Sequence, residues 1–282
     1  MLIPALPPQP TRDERARRIA TPARRAAALA ALLLAAALPW GSAAQQAVPQ
    51  GSDRTPPQSA PALEPDALAR LRETGAALAA ARSLRFTASA LHDVPTAEGQ
   101  SVLYAVRSRV TLRRPDHLRI DTGGDEAPAA FVSDGRTMTL YRPSAGTVAT
   151  APAPAGLEAV LRAEIAAAGQ AQAFADMLLD DPGRTFTDGL TRAFVVGRSA
   201  LVGGVETEVV AFASPDAQGQ IWIGAQDRLP RQLWVTETAA PGRPRSGVTF
   251  SDWQLDPILD DRTFSVAGAD GARPVPFTKP EL

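Results

Sequence analysis

The sequence contains one tripeptide whose residue types match a catalytic motif, Asp121-Thr122-Gly123, which follows a hydrophobic residue. Aspartic proteases carry this signature, and they need two such carboxylates sharing one proton, supplied by two lobes or two subunits. Only one Asp-Thr-Gly occurs, although Val195-Val196-Gly197 imitates the downstream hydrophobic-Gly element. In the alternative interpretation, Asp121 ends a strand before a Gly123-Gly124 turn. An aspartic-protease-like enzyme using Asp121 is therefore kept only as a remote alternative.

Other catalytic and metal-binding patterns are missing from the sequence. Ser133 has no Gly-x-Ser-x-Gly setting, and a serine hydrolase would have to recruit one of only two histidines, His92 or His117, as its base. A metal site is also unsupported, because the chain has no cysteine and no cluster of His or carboxylate residues at ligand spacing. We therefore expect no enzyme, with no catalytic residue, no metal and no cofactor.

Aromatic residues near the C-terminus are the stronger functional signal. Trp222, Trp234 and Trp253 fall on late predicted strands together with Phe250. Aromatic side chains usually fill a core, but they also line apolar ligand pockets. Strand alternation points Trp234 away from the two residues beside it, so the face that would line a cavity stays open at this stage.

The N-terminus of the 282-residue chain resembles a secretory leader. Arg24-Arg25 precede an uncharged 13-residue run, Ala26–Leu38, and Ser42-Ala43-Ala44 supplies small residues for cleavage after Ala44. The run is shorter than the roughly 20 residues of a membrane span. Residues 1–44 are thus predicted to be a signal peptide that directs the protein to the periplasm, with Sec and twin-arginine export both open.

Composition narrows the choice of partner. Removing the leader takes away six Arg and two acidic residues from 29 and 30, which leaves 23 basic against 28 acidic residues and a net charge near −5. A mildly acidic protein is a poor ligand for nucleic acid. The lack of cysteine excludes a lipid-attachment cysteine, so we expect a free periplasmic monomer.

The mature chain is predicted to hold one domain. Residues 45–65 are rich in Pro, Gln and Ser and predict a flexible linker, and the domain is predicted to span residues 66–278. Asp66 is predicted to cap a helix that continues to Arg82, with Gly75 costing about 1 kcal/mol relative to Ala. Two short helices are predicted at Gly156–Ala168 and Gln172–Leu179, ended by a turn at Asp180–Gly183.

Period-2 alternation predicts eleven strands in two groups. They are Leu84–Leu91, Gln100–Leu112, His117–Asp121, Pro128–Ser133, Arg136–Tyr141, Thr147–Ala151, Ala193–Val202, Glu206–Phe212, Gln218–Gly224, Gln232–Thr238 and Gly247–Leu255. Asp134-Gly135 predicts a type I′ hairpin turn, and Gly203-Gly204 predicts another hairpin. The fold class is therefore α+β, with a long antiparallel sheet that curls into an incomplete barrel covered by helices.

Several segments resemble a family of predicted periplasmic proteins of unknown function in the LolA/LolB-like lipoprotein-carrier superfamily. The resemblance covers about residues 63–277. Its anchors are Arg113–Arg119, Ser133–Tyr141, Ala175–Leu178, Val202–Val205 and the three strands around Trp222, Trp234 and Trp253. The superfamily has an incomplete antiparallel barrel that is covered by helices and encloses a cavity for acyl chains.

The resemblance implies a non-catalytic carrier that binds a lipid or the acyl chain of a lipoprotein, with an inner- or outer-membrane protein as a further partner. The residues expected to line its cavity are Trp222, Trp234, Phe250, Trp253, Phe131, Met138 and Leu140. The same fold could instead serve as a structural or envelope-sensing module whose cavity is filled by its own side chains.

Overall fold

The computed structural model describes residues 62–95, 100–168, 172 and 174–277. The predicted signal peptide lies outside the described residues, as does the predicted linker up to Pro61. Leu63 already forms a parallel bridge with Ala193, and the Glu64 backbone N–H donates to the Ala193 carbonyl at 2.9 Å. The last residues of the predicted linker are therefore part of the sheet.

The first helix, α1, spans Pro65–Ala80. Pro65 stands at the first helical position, where its fixed φ suits a helix and its missing N–H costs nothing. The prediction that Asp66 caps the helix is wrong: Asp66 lies inside the first turn, and Glu64 occupies the N-cap position without a side-chain cap. Ala67, Leu71 and Leu78 form the buried stripe that faces the sheet.

The sheet has twelve strands in the described residues. In chain order they are β1 Ser83–Pro95, β2 Ser101–Arg113, β3 His117–Gly124, β4 Ala129–Asp134, β5 Thr137–Arg142, β6 Thr147–Pro152, β7 Arg192–Ser199, β8 Thr207–Ala213, β9 Ala217–Gly224, β10 Pro230–Glu237, β11 Arg245–Leu255 and β12 Arg273–Pro274. All eleven predicted strands are present, and β12 was not predicted. Asp121 does not end its strand, because β3 continues to Gly124.

The strand order is β12-β6-β5-β4-β3-β2-β1-β11-β10-β9-β8-β7. All neighbours run antiparallel except β6 and β12, which are parallel. The two end strands, β12 and β7, do not pair with each other, so the curved sheet remains an incomplete barrel. The predicted fold class is confirmed.

Five helical segments besides α1 are described. They are α2 Leu157–Ala168, α3 Pro182–Thr187 and three short 3₁₀ turns at Pro143–Ala145, Ala175–Leu178 and Asp261–Phe264. The predicted second short helix is thus reduced to one 3₁₀ turn. The predicted turn after it is wrong, because Asp181 accepts the Arg184 backbone N–H at 2.9 Å and caps α3.

Helix α1 packs against α3 through a contact that only glycine permits. A Cβ added to Gly75 would lie 2.1 Å from the backbone nitrogen of Gly183. The glycine that local propensity treats as a cost is therefore the residue that lets the two backbones approach.

A buried carboxylate ties α1 to the sheet at its β7 end. Glu208 of β8 is 6% exposed and pairs with Arg70 of α1 at 3.2 Å and with Arg228 at 2.5 Å. Burial is the largest single influence and raises the pKa of Glu208, but Arg228 and Arg70 together outweigh it, so the pKa lies below its ordinary value.

The β4–β5 hairpin is present, but its predicted turn type is wrong. Only Gly135 has a positive φ, of 83°, whereas a type I′ turn needs two such residues. The Asp134 carboxylate instead accepts the backbone N–H groups of Arg136 and Thr137 at 2.8 and 2.7 Å. The side chain thus supplies the turn geometry through an Asx-type bond.

Gly203 and Gly204 both have φ of 68° in the β7–β8 connection.

The two faces of the sheet differ in cover. On β2, Val106, Ser108 and Val110 are buried under the helical side, and Arg107 and Arg109 point outwards. We call these the inner face and the outer face. The main core lies on the inner face, where Phe86 stacks on Trp253 with 4.4 Å between ring centroids.

Candidate functional site

A cavity of about 470 Å³ opens on the inner face, between four strands and the chain around the 3₁₀ turn at Ala175–Leu178. Its walls come from β1, β2, β10 and β11. The described residues that line it are Ala88, Ala90, His92, Asp93, Val106, Ser108, Gln172, Phe174, Asp176, Leu233, Val235, Glu237, Pro244, Arg245, Ser246 and Val248. Its volume falls within the range of about 300–1,000 Å³ that is typical of ligand pockets. We call it the inner cavity.

The order of residues along β1 explains where the cavity lies. Because strand residues alternate between faces, Leu84, Phe86, Ala88, Ala90 and His92 all point inwards. The first two are large and fully packed, with 0% and 1% exposure. The two alanines that follow are too small to fill the same space. The core is therefore solid from Phe86 to Ala88, which is 1% exposed, and opens at Ala90, which is partly exposed.

The floor of the inner cavity is apolar. Val106, Leu233 and Val248 stand beside the two alanines on neighbouring strands. Ser108 is the polar exception, and its hydroxyl lies 3.3 Å from that of Thr122. A polar group that is already satisfied costs little to keep beside an apolar ligand.

The roof contributes one aromatic ring and a buried acid behind it. Phe174 is 2% exposed and meets Phe86 edge to face at 5.8 Å. Gln172 lines the cavity and hydrogen-bonds the carboxyl of Glu164 on α2. Burial raises the pKa of Glu164 to about 7, against the lowering effect of Gln172, and its Oε2 has no hydrogen-bond partner within the described part of the chain.

Charged groups gather at the mouth. His92 Nε2 lies 3.5 Å from a carboxylate oxygen of Glu126, and Asp93 accepts the backbone N–H of Arg245 at 3.1 Å. Glu237 lies on the same rim. An apolar floor with a polar mouth suits an amphipathic molecule that enters tail first.

Five of the seven residues predicted to line a cavity lie on the inner face, but none of them lines the inner cavity. Phe250 and Trp253 pack on Phe86, and the Trp253 indole N–H donates to the Pro230 carbonyl at 2.9 Å. Phe131, Met138 and Leu140 are buried in the part of the core that also contains Leu157, Val160 and Leu161 of α2. Ligand binding by any of these residues stays a prediction.

The other two, Trp222 and Trp234, lie on the outer face. They line a separate groove of about 550 Å³ on the β7–β11 part of the sheet. Sequence alone left the facing of these strands open, because each carries apolar residues at successive positions.

Sequence reasoning missed the residues that make the cavity, Ala88, Ala90 and Leu233. A usable signal was present: along β1 the inward positions change from large to small within one strand. Alanine is so frequent in this chain that the two alanines of β1 are not a distinctive signal in the sequence.

Asp121 is held in a structural pair on the outer face. Arg119 Nε donates to its Oδ2 at 2.6 Å and Arg119 Nη2 to its Oδ1 at 2.8 Å. Arg119 also donates to the Ser265 carbonyl at 2.7 Å, which ties β3 to the C-terminal segment. Both oxygens of the carboxylate are thus engaged by one guanidinium.

Two further observations concern the described residues as a whole. Within the described residues no group of three or more His, Cys, Asp and Glu could hold a metal ion. Among the described helices, none combines the length and the hydropathy that crossing a membrane requires.

Comparison with known proteins places the chain in a family. A family model described as "Predicted periplasmic protein (DUF2092)" matches residues 67–278. The match confirms the predicted family and the periplasmic localisation that goes with it. No curated protein matches the sequence significantly.

Solved structures with some likeness to the chain are distant. MucB is 16% identical over 74% of this chain with a TM-score of 0.43, and the chain covers 66% of MucB, just under two thirds. A LolA superfamily protein from Nitrosomonas europaea is 12% identical over 71% of this chain and 97% of its own, with a TM-score of 0.34. LprF from Mycobacterium bovis is 12% identical over the same shares, with a TM-score of 0.40.

Proposed function

The chain belongs to the DUF2092 family of predicted periplasmic proteins, and from this premise we propose that it binds a hydrophobic ligand in the inner cavity. The ligand class is a lipid or the acyl chain of a lipoprotein. The supporting observation is the cavity itself, whose floor is apolar and whose charged lining residues are Asp176 of the roof and the groups at the mouth. Delivery to or from a membrane protein, and a monomeric state, remain predictions.

Affinity would come from burial of the acyl chain. At about 25 cal/mol per Å², removing about 300 Å² of apolar surface from water contributes roughly 7 kcal/mol before the costs of association. The charged mouth would hold a polar head at the surface. No covalent step is required, and the role proposed is binding and release.

The first test uses a fluorescent sixteen-carbon fatty acid and the variant Ala90→Phe. The added ring would occupy the space above the alanines, so we expect retention of the probe to fall at least tenfold. The matched control is Ala213→Phe, the same change on the outer face, which should bind the probe as the wild type does. A thermal melt checks that both variants fold. Wild-type binding by a folded Ala90→Phe would show that the inner cavity is not the site.

Native mass spectrometry of protein purified from a periplasmic fraction supplies an independent test. A stoichiometric lipid or acyl species, identified after organic extraction, is the expected result. Its head group would also identify the cargo class.

A structural module with a filled core is the second candidate, and one observation favours it. Most of the inner face is already packed by the protein's own side chains, including the Phe86–Trp253 stack. An apo mass together with no retention of the fatty acid would support this candidate against the carrier.

A further inference from the structure

The outer groove is a second concave site, and the inner-cavity proposal does not account for it. We infer that this groove binds an acidic saccharide, whose ring stacks on tryptophan and whose carboxylate or phosphate is held by arginine. The inference does not depend on a ligand in the inner cavity, because the two sites open on opposite faces of the sheet and share only Arg245.

Strand register aligns an aromatic row across the outer face. Phe194, Ala211, Gln220, Trp234 and Gly247 are direct cross-strand partners from β7 to β11. Phe194 and Trp234 therefore stand three strand spacings apart, roughly 14 Å at about 4.8 Å each. Ala211 and Gln220 form a low floor between two aromatic walls.

A second row lies two residues further along each strand. Arg192, Ala213, Gln218, Thr236 and Arg245 are cross-strand partners in the same order of strands. An arginine therefore stands at each end of the row, with an amide and a hydroxyl between them. These groups suit an anion and the hydroxyls of a ligand.

The indole of Trp234 is held so that the groove stays open. A Cβ on Gly247 would come within 2.7 Å of the ring, so the indole leans over the backbone of β11 and away from the floor. The Arg245 guanidinium carbon lies over the ring, 5.4 Å from its centroid. Gly247 beneath the ring and the guanidinium over it fix the orientation of the indole, and a sugar would stack on the part of the indole that Arg245 leaves exposed.

Hydrogen-bonding capacity is unused at this site. Neither Trp222 nor Trp234 donates its indole N–H to a described protein group, and both are partly exposed, whereas Trp253 in the core has a partner. Trp222 lies diagonally across from Trp234, since Trp222 pairs with Gln232 two residues away. Two indole donors thus face the solvent beside one groove.

The charge of the lining selects for an acidic ligand. The described residues that line the groove include Arg192 and Arg245 and no Asp or Glu. A sugar offers an apolar C–H face to an indole and hydroxyls to the glutamines, and an acidic substituent can pair with the guanidinium at either end of the row. Together these demands specify a sugar that carries a negative charge.

The test begins with the full mature protein on a glycan array that contains uronate, sialyl and phosphorylated oligosaccharides beside their neutral parents. We expect binding to acidic members and at least tenfold weaker binding to the neutral parent. Isothermal titration with the best acidic tetrasaccharide then measures variants. Trp234→Ala should weaken binding at least tenfold, and Arg192→Gln should weaken the acidic ligand only.

Controls separate the groove from the rest of the molecule. Arg107→Gln removes a charge from the same face outside the groove, and Ala90→Phe blocks the inner cavity; both should bind the saccharide as the wild type does. Binding of inorganic phosphate as tightly as the saccharide would reduce the site to an anion site and overturn the proposal. Stronger binding of a tetraglutamate peptide, no acidic glycan bound on the array, or wild-type affinity in Trp234→Ala would also overturn it.

Discussion

The inner and outer faces of the sheet use the same aromatic residue types in different ways. On the inner face, Phe86 contacts Trp253, Phe250 and Phe174 with ring centroids 4.4, 6.1 and 5.8 Å apart. On the outer face, Trp234 has a guanidinium as its ring neighbour, and no aromatic pair involving Trp222 or Trp234 is found among the described residues.

The difference arises because helices pack on the inner face, and not because the aromatic residues of the two faces differ in hydrophobicity. Helices close the inner face, so its rings interlock and exclude water. No residue of a described helix lines the outer groove, so its rings stay half-buried with unused donors. Aromatic content therefore does not tell a core from a binding surface unless the covered face is known.

Among the variants that test this contrast, Phe86→Ala is expected to have the largest effect on stability. Phe86 is 1% exposed at the centre of the ring cluster, and its loss leaves a cavity. We expect the free energy of unfolding to fall by about 3–5 kcal/mol, measured by guanidinium titration. A loss below about 1 kcal/mol would show that the inner cluster is not tightly packed.

Glu164→Gln tests how much the buried carboxyl of α2, which covers the inner face, costs in stability when it is ionised. The pKa of Glu164 is raised from 4.5 to about 7 by burial, so the folded state binds its proton more tightly than the unfolded state. The contribution of this group to the free energy of unfolding is fully present below about pH 4.5 and is lost as the pH rises through about 7. The total loss is on the order of 3 kcal/mol. The glutamine variant should therefore gain on the wild type as pH rises.

The control for that experiment is Glu158→Gln on the same helix, where the carboxylate is 58% exposed. Its unfolding free energy should follow the wild-type pH profile. Parallel profiles for wild type and Glu164→Gln between pH 4.5 and 8 would contradict the prediction.

Gly75→Ala tests how closely α1 and α3 must approach to hold the cover in place. Helix propensity alone expects a gain of about 1 kcal/mol. Because the new methyl would meet the Gly183 backbone at 2.1 Å, we expect instead a loss of about 1–3 kcal/mol in thermal or denaturant unfolding. Ala76→Gly, at the exposed neighbouring position, should lose about 1 kcal/mol from propensity only. A stabilised Gly75→Ala would disprove the close contact.

The smallest effect is expected from Trp222→Ala on the outer face. Trp222 is only partly buried and lies outside the core, so the unfolding free energy should fall by at most about 1 kcal/mol. Circular dichroism melts beside Phe86→Ala make the comparison direct. Equal losses in the two variants would mean that the outer tryptophans are core residues after all.

Most of the fold was predictable because alternation and turn residues are local signals. All eleven predicted strands are found, and α1 and α2 end within two residues of their predicted limits. Errors arose where a side chain replaced a backbone preference, as when Asp181 caps α3 or Asp134 shapes its hairpin. The parallel pairing of β12 is long-range and leaves no local pattern.

The candidate site was less predictable for a geometric reason. The inner cavity depends on which of two strand faces the helices cover, and a strand such as β10, with Leu233, Trp234 and Val235 in succession, shows no preference for either face. Trp234 was a natural choice for a cavity wall, yet the alanines of β1 make the space. Small residues create cavities and carry no signal of their own.

The pairing of residues 62–64 with β7 bears on how the protein behaves at high concentration. The unpaired backbone groups of an edge strand can hydrogen-bond to a strand of another chain, and repeated addition of this kind leads to polymers. Here Ala62 and Glu64 take up backbone groups of Ala193, and the Glu64 carboxylate accepts the Val195 N–H at 2.9 Å. A bulge between Val195 and Gly197 then breaks the register of the same strand. An incoming strand must displace this short segment and also match an irregular edge, so growth of the sheet by intermolecular addition is obstructed at β7.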